Sequence, residues 1–541
     1  MRRLIELLLT EIKIFKICFF FKKKILPLKV SKDNPIILFE FNNYGASQIG
    51  GYYFISNVLK KKKFDIKCFY NGYAVKTPFI NNFSLLLKWK LKNFFSLGYL
   101  KIYKNIYGLN NPVVPSIDYS DSPLTNKVYK ELKKKIKSKK DVLKICIKNI
   151  LIGDLIYDTY LTRYLRPTID INNKEFLSVM KECVGLTLYW YDYFNNNNVK
   201  YIIGTHGVYS YAIPFRVALK FSAKSFLVNL HGIKEVKKSF IYDHTPLRRK
   251  KKLLNTLSKA KKIQYQKKAI KDLNRIVSGS EIKHRDNSLK ISAFNNNKNK
   301  MKLIKPSNKL KILISPHDFF DAAHGYGDHK LFEDYYEWLK YTFKISLDTN
   351  YDWYLKTHPD LKGRFGIKQR ITRDIINKML LNNNKIKILP PNYSHKQIIE
   401  EGMDFVITCN GSIAYEYGLN NIPSVIATRC SRYQEFKFTI NPKNKYDYKK
   451  KIMNLHKIKK KFKINKKQIY DWFILNFYVV STLNWIFNYK DYCKYMGGWY
   501  KWQDTKIFNY WMLKKNKKME KRVFKTLNDY LTSKSNILFK S

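Results

Sequence analysis

Asp404-Phe405-Val406-Ile407-Thr408-Cys409-Asn410-Gly411-Ser412-Ile413-Ala414-Tyr415-Glu416 is the stretch that decides the fold. Phe405 to Thr408 is a short run without charge, the pattern of a strand buried on both faces of a parallel sheet. Asn410-Gly411 interrupts it, and Ile413 to Leu419 then reads as a helix. Upstream, Trp353-Tyr354-Leu355 runs out in the same way into Lys356-Thr357-His358-Pro359-Asp360. In an open parallel sheet, strand ends of one polarity form the crevice where ligands bind. Two polar elbows on one rim therefore predict a site for a phosphorylated ligand.

The alternation extends on both sides of this stretch. Leu310 to Ile314, Ile386 to Leu389 and Ser424 to Ala427 read as further strands. Leu331 to Leu347, Ile367 to Leu381 and His395 to Glu401 read as the helices between them. Strand and helix in turn at this spacing give βαβ units and a parallel sheet. The first half begins alike: Pro35 to Glu40 as a strand, Ser47 to Leu59 as a helix, Phe64 to Tyr70 as a strand. Glu175 to Phe194 is its clearest helix, Val199 to Gly204 and Ser225 to Leu230 are strands, and Ala212 to Phe221 is a helix between them. Arg248 to Arg275 is a long, very basic helical stretch. Asn295-Asn296-Asn297 and the lysines around them have the composition of a linker.

The expected organisation is a basic N-terminal segment (1–34), an N-terminal α/β domain on the acceptor side (35–290) and a linker (291–309). A C-terminal α/β domain (310–445) and a helical, aromatic and basic tail (446–541) follow. The fold class is α/β: two Rossmann-like doubly wound domains facing a cleft, with added helices.

Composition sets the outer bounds. A chain of 541 residues with 45% hydrophobic and 16% aromatic residues is long and apolar enough for several cores, which excludes global disorder. The formal charge of +62 has two competing sources. One is a lysine- and asparagine-rich coding bias that spreads charge over every surface, and the other is attraction to an anionic partner. The lysines gather in no single stripe and no nucleic-acid motif is present, so no nucleic acid is expected. Seven cysteines without a Cys-x-x-Cys pair argue against a disulfide framework or a zinc site and fit a reducing cytoplasm. Met1 to Leu28 alternates apolar clusters with Arg2-Arg3 and Lys22-Lys23-Lys24. Its longest uncharged run, Ile17 to Phe21, is too short to span a bilayer. A basic helix lying on an anionic inner membrane face and a helix packed on the domain both fit it.

Within the elbows each residue type has a physical purpose. Gly411 allows close approach of backbone to ligand, and the following helix offers free N–H groups and a positive dipole end. Ser412 can cap that helix or donate to a phosphate oxygen, and Glu416, one turn on, suits sugar or ribose hydroxyls. Pro359 restricts the turn that aims His358, which can donate to a phosphate, and Lys356 adds positive charge. With Asn410 these six form the donor-phosphate set. The loop after Leu310 to Ile314 crowds His317, Asp318, Asp321, His324, Asp328 and His329. Their spacing fits no metal template, so no metal is expected. His317, Asp318 and Asp321 are candidates for general base or acceptor contact, with hydrogen bonding of the loop as the other reading. His206 and Tyr209, after Val199 to Gly204, are acceptor-side candidates.

The run from His317 to Tyr326, then Leu331-Phe332-Glu333-Asp334-Tyr335-Tyr336-Glu337-Trp338-Leu339, Lys356-Thr357-His358-Pro359 and Asn410-Gly411-Ser412 with Glu416 resembles the capsule polysaccharide biosynthesis family. Asn421-Ile422-Pro423-Ser424-Val425 continues the likeness, which is good from about residue 310 to 435 and thinner before it. Members are similar to GT-B glycosyltransferases, related at a distance to bacterial Kdo- and sialyltransferases that use CMP-sugars. There a His-Pro motif and a Ser/Thr motif hold the donor phosphate, and His358 and Ser412 fall on these motifs. The resemblance implies a cytoplasmic glycosyltransferase, with peripheral contact to the inner face of the inner membrane. It would transfer a sugar from a CMP- or UDP-linked donor to a polysaccharide or lipid-linked acceptor without a cofactor. An acidic general base of such enzymes lies in the N-terminal domain, and the sequence does not place it. A CDP-activated polyol-phosphate transferase on the same fold, and a non-catalytic basic binding or scaffold protein, are the alternatives.

Overall fold

The computed structural model of the chain describes residues 34–41, 64–70, 117–229, 232–242, 250–279, 292–295, 301–325, 331–359, 366–381, 383–428, 431–480 and 517–532, together with Ile12, Ile55 and Val58. The basic N-terminal segment, the glycines from Gly45 to Gly51, and Tyr326 to Lys330 lie outside the described residues. So does the helix expected from Ser47 to Leu59, apart from Ile55 and Val58. The chain divides into two compact units. The first holds the residues up to Arg163, Ile169–Asp243 and those from Thr482 to Lys540. The second holds Tyr164–Thr168 and His244–Ser481.

The strands are β1 (Ile36–Phe41), β2 (Asp65–Tyr70), a two-stranded hairpin of β3 (Cys146–Ile147) and β4 (Ile150–Leu151), β5 (Val199–Gly204), β6 (Lys224–Asn229) and β7 (Gly232–Val236) in the first unit. In the second they are β8 (Lys311–Ile314), β9 (Asp352–Lys356), β10 (Ile386–Leu389), β11 (Phe405–Thr408), β12 (Ser424–Ile426) and β13 (Thr439–Ile440). The first sheet has the order β2-β1-β5-β6-β7, parallel except for β7, which runs antiparallel to β6. The second has the order β10-β9-β8-β11-β12-β13 and is parallel throughout. Numbered within their own sheets these orders are 2-1-3-4-5 and 3-2-1-4-5-6, the two usual doubly wound arrangements. Both sheets are thus Rossmann-like, as the alternation of strands and helices predicts.

In the first unit, helix α1 (Gly153–Tyr164) is tied to helix α3 (Ile213–Lys220), and α2 (Lys174–Asn196) packs beside them. The tie is ionic: Arg216 meets Asp154 through two bonds of 2.6 Å, both side chains buried. The Arg216 guanidinium also donates to the Leu151 carbonyl at 2.8 Å. A two-pronged pair is the form in which a buried ion pair is tolerated, although here the Arg216 Nε–H is buried without a partner.

The second sheet is buried on both faces, and strand parity sorts its side chains. Ile312, Ile314, Trp353, Leu355, Phe405 and Ile407 enter one core with helices α5 (Tyr335–Leu347) and α6 (Gly366–Met379). Leu313, Tyr354 and Val406 enter the opposite core with α7 (His395–Glu400) and α8 (Ile413–Gly418). Trp338 and Trp353 are fully buried in the first of these, each removing a large apolar surface from water. Helix α5 starts at Tyr335, later than its apolar pattern suggests, because Asp334 caps it by accepting the Glu337 N–H at 2.8 Å. The basic stretch after Arg248 is a short 3-10 turn, Lys251–Thr256, and then helix α4 (Lys259–Val277). Ala269, Leu273 and Ile276 of α4 are buried in a core with Trp472 and Phe473. Its lysines line the remaining helix surface, as its spacing dictates. Among the described residues, no helix is long and apolar enough to cross a membrane.

Candidate functional site

In an order of 3-2-1-4-5-6 the chain reverses direction between the first and fourth strands, and a ligand crevice opens at their carboxyl ends. In the second unit these strands are β8 and β11. The loop from Ser315 onward leaves β8, the Cys409-Asn410-Gly411-Ser412 elbow leaves β11, and Thr357-His358-Pro359 leaves neighbouring β9. The two elbows named from sequence thus flank the β8 loop on one sheet edge.

The β11 elbow is held by bonds to its main chain. The Asn410 N–H donates to His317 Nε2 at 3.1 Å, and Thr408 Oγ1 lies 3.3 Å from the same nitrogen. Thr428 Oγ1 donates to the Cys409 carbonyl at 3.0 Å, and the Tyr433 hydroxyl to the Gly411 carbonyl at 2.8 Å. A Cβ on Gly411 would stand 2.7 Å from Thr408 Oγ1, so this position favours glycine by space. The Asn410 side-chain carbonyl, by contrast, is buried with no hydrogen-bond partner. Ser412 already has helical angles, φ −62 and ψ −24, and makes no capping bond. Its residue type suggested a cap, but the helical turn has begun before it.

His317 is therefore a brace. Accepting an amide proton leaves Nε2 as the lone-pair nitrogen, and the ring stacks on Tyr335 with centroids 4.7 Å apart. Asp318 is half-buried and accepts the Phe320 N–H at 2.8 Å. Burial, with repulsion from Asp321, pushes its carboxyl up to about 6, against the bond from Phe320 and the pull of Lys368. A carboxyl poised there can exchange a proton near neutral pH. Asp321 is exposed. His324 is buried, and its Nε2 donates to the Glu333 carbonyl at 2.9 Å, which shapes the loop.

The β9 end divides by parity. Lys356 points to the same face as Tyr354, where it is buried with Nζ 3.4 Å from His395 Nε2. His395 Nδ1 lies 2.7 Å from the Tyr417 hydroxyl. Burial lowers the Lys356 ammonium to about 7, opposed by the charge of Glu416, which is itself 2% exposed. Lys356 and Glu416 are thus brought together, beneath the rim rather than on it. Burial first, and then Glu416, raise the Tyr417 phenol well above its ordinary value. The Thr357 hydroxyl is buried without a partner, and His358 is exposed at the rim.

In the first unit, the order 2-1-3-4-5 puts the reversal between β1 and β5. There Glu40, 1% exposed, accepts from both the amide and the hydroxyl of Thr205, at 2.8 and 2.9 Å. Thr205 Oγ1 lies 2.7 Å from His206 Nδ1. The sequence reading did not single out Glu40, since a carboxylate closing an apolar strand looks like a boundary. Tyr209 has a left-handed φ of 56, and the next amide, that of Ser210, donates to Thr159 Oγ1 at 2.8 Å.

No family model and no curated protein matches the chain. Among solved structures it is similar to the Methanocaldococcus jannaschii UDP-GlcNAc 2-epimerase in complex with UDP-GlcNAc and UDP, at 12% identity over 80% of this chain and 97% of that one, TM-score 0.26. The wall teichoic acid polymerase TagF matches at 16% identity over 63% and 62%, TM-score 0.21. The spinosyn rhamnosyltransferase SpnG matches at 7% identity over 82% and 95%, TM-score 0.22. Likeness at these scores assigns no activity.

Proposed function

We propose that the chain is a GT-B-type glycosyltransferase that moves a sugar from a nucleotide-sugar donor to a surface polysaccharide or lipid-linked acceptor. The observation that carries this reading is the Asn410-Gly411 elbow at the switch point between β8 and β11. Its backbone is bonded into one conformation, while the Asn410 side-chain carbonyl is buried and unpartnered. A buried polar atom without a bond costs about 1–3 kcal/mol, which a polar ligand group would recover. In this reading the donor phosphates lie over Gly411 and Ser412, and His358 donates to the leaving phosphate from the adjacent elbow. Lys356 and Glu416 support that floor from below, and Asp318 is a proton carrier at its edge. Phosphate held by protein donors needs no metal to stabilise its leaving charge.

Titration calorimetry with CMP, UDP and CDP, and turnover of the corresponding activated donors, test the proposal. One nucleotide class should bind and be consumed. His358→Ala should lower transfer at least about 100-fold, the effect of deleting one donor to a developing anion, with the melting temperature unchanged. Unchanged turnover in that variant removes His358 from the site. Consumption of a CDP-polyol donor alone would move the activity to polyol-phosphate transfer, and binding of no nucleotide would overturn the reading.

A further inference from the structure

The second unit's strand ends have a side that the two elbows do not account for, where helix α6 meets the loop after β8. Thr372 of α6 is 2% exposed, and its hydroxyl has no hydrogen-bond partner. Ile376, one turn on, is fully buried in the core with Leu355 and Trp353, so this face of the helix lies on the sheet. Because β9 and β10 are parallel, α6 carries the chain back from the carboxyl end of β9, and Thr372 is a turn nearer that end than Ile376. We propose that Thr372 and Asp318 together bind one hydroxyl of the donor, on its ribose or on the sugar it transfers. This deepens the donor-site reading given above and rests on it.

A threonine inside a helix has a bond close to hand. Thr159, Thr187 and Thr342 each donate to the carbonyl four residues back, at 2.6, 2.7 and 2.8 Å. Thr372 forgoes that bond, which leaves a buried hydroxyl unmet and costs stability. Asp318 is the group beside it. Burial raises the Asp318 carboxyl, helped by Asp321, while the bond from Phe320, the charge of Lys368 and, least of all, the Thr372 hydroxyl draw it back. Thr372 is thus near enough to act on Asp318, yet no hydrogen bond links the two. An atom bonded to both would close that gap.

That atom has to suit both partners. A carboxyl accepts when ionised and can donate when protonated, and a threonine hydroxyl does either. A phosphate oxygen at neutral pH only accepts, so it would fit the protonated acid alone. An ammonium only donates, and it would also stand near Lys368, which lies one turn before Thr372 on the same face of α6. A sugar hydroxyl is neutral, donates and accepts, and fits Asp318 in both states. The Phe320 N–H, at 2.8 Å, already fixes the carboxyl in place. Independently, Thr357, two residues beyond Leu355 and of the same parity, has a hydroxyl that is buried, 4% exposed, and unpartnered. The α6 side of the β9 end therefore holds two hydroxyls that the protein itself does not bond.

Calorimetric titration of the full chain with CMP, UDP and CDP, with their activated donors, and with analogues of both lacking single ribose or sugar hydroxyls tests this. Thr372→Val is close in shape and removes only an unpartnered hydroxyl, so the melting temperature should be unchanged or higher. The variant should bind the ligand about tenfold more weakly, the worth of one hydrogen bond, and Thr372→Ser should restore it to within a few-fold. In the natural protein, a ligand lacking the bound hydroxyl should lose about as much. Variant and deoxy ligand together should lose no more than either alone, as for the two halves of one contact. A loss seen with the nucleotide itself puts the hydroxyl on the ribose, and one seen only with the intact donor puts it on the sugar. Equal binding of nucleotide and donor by the natural protein and a folded Thr372→Val overturns the proposal and leaves the donor site standing, with Thr372 holding water only. Losses that add in full overturn it too. A natural protein that binds every deoxy analogue at full strength does so whether or not any variant folds. Binding of no nucleotide and no donor by the natural protein would sink the donor site and this contact with it.

Discussion

At the switch point of the first unit a carboxylate, a hydroxyl and an imidazole are bonded in series; at that of the second, the backbone is bonded and two side-chain atoms are not. Glu40 accepts from the Thr205 amide and hydroxyl, and that hydroxyl oxygen lies 2.7 Å from His206 Nδ1. Around β11 the carbonyls of Cys409 and Gly411 and the amide of Asn410 are all engaged. Thr357 Oγ1 and Asn410 Oδ1 are buried with none. A closed series orients a reactive group, and a braced elbow with open atoms is shaped for a polar ligand. The corresponding edges of the two sheets thus differ in which polar atoms are left over.

The two glycines at these edges sharpen the contrast. Gly204→Ala drives a methyl into a buried ring and a buried carboxylate, with contacts of 2.3 and 2.6 Å. Neither neighbour can swing away, and the expected loss is about 3 kcal/mol, the upper part of the overpacking range. Gly411→Ala meets the Thr408 hydroxyl at 2.7 Å, a longer contact than either at Gly204. Its stability cost should stay near 1 kcal/mol, while nucleotide affinity falls. Urea denaturation of both variants decides it, and equal losses would erase the distinction drawn between the edges.

Much of the second sheet was legible because its strands are short, apolar on both faces and ended by polar turns. Strands β10 and β11 fall at the expected residues, and β8, β9 and β12 differ by one residue at an end. The first unit's β5 was equally clear. What sequence hid was lateral. Glu40 and Thr205 are 165 residues apart, and only the pairing of β1 with β5 brings them together. Strand β7 was not expected, because Lys234 and Glu235 interrupt its apolar pattern and its partner runs antiparallel. Lys356 read as a rim charge, yet its parity with Tyr354 turns it under the sheet toward His395. Residue type located the rim, and strand parity decided who stands on it.

That buried lysine supplies a pH test of the second edge. Its folded-state value of about 7 is below the ordinary 10.5, so between these limits the unfolded chain binds more protons. Stability then rises with pH across that window, and the full penalty is present below 7. From pH 6 to pH 9 this group alone should add about 2–3 kcal/mol. Lys356→Met removes the titration, so in urea melts the natural protein should gain that increment between the two pH values and the variant should not. A parallel pH profile in both proteins would place the ammonium in water instead of beneath the rim.

Asp318 gives the opposite sign and the smallest effect. Its carboxyl is raised from 3.8 to about 6, so the folded chain binds more protons in that interval. The stabilising contribution is complete below 3.8 and is lost as pH rises through 6. Asp318→Asn keeps an oxygen to accept the Phe320 N–H and carries no charge to desolvate. It should leave stability unchanged at pH 4 and raise it by about 1 kcal/mol at pH 8, a value reduced for partial exposure. The same variant should transfer sugar more slowly if Asp318 carries a proton at the donor edge, since function is where a fold keeps strained or ill-solvated groups. A gain in stability with no loss of turnover would leave Asp318 as a bracket of the β8 loop.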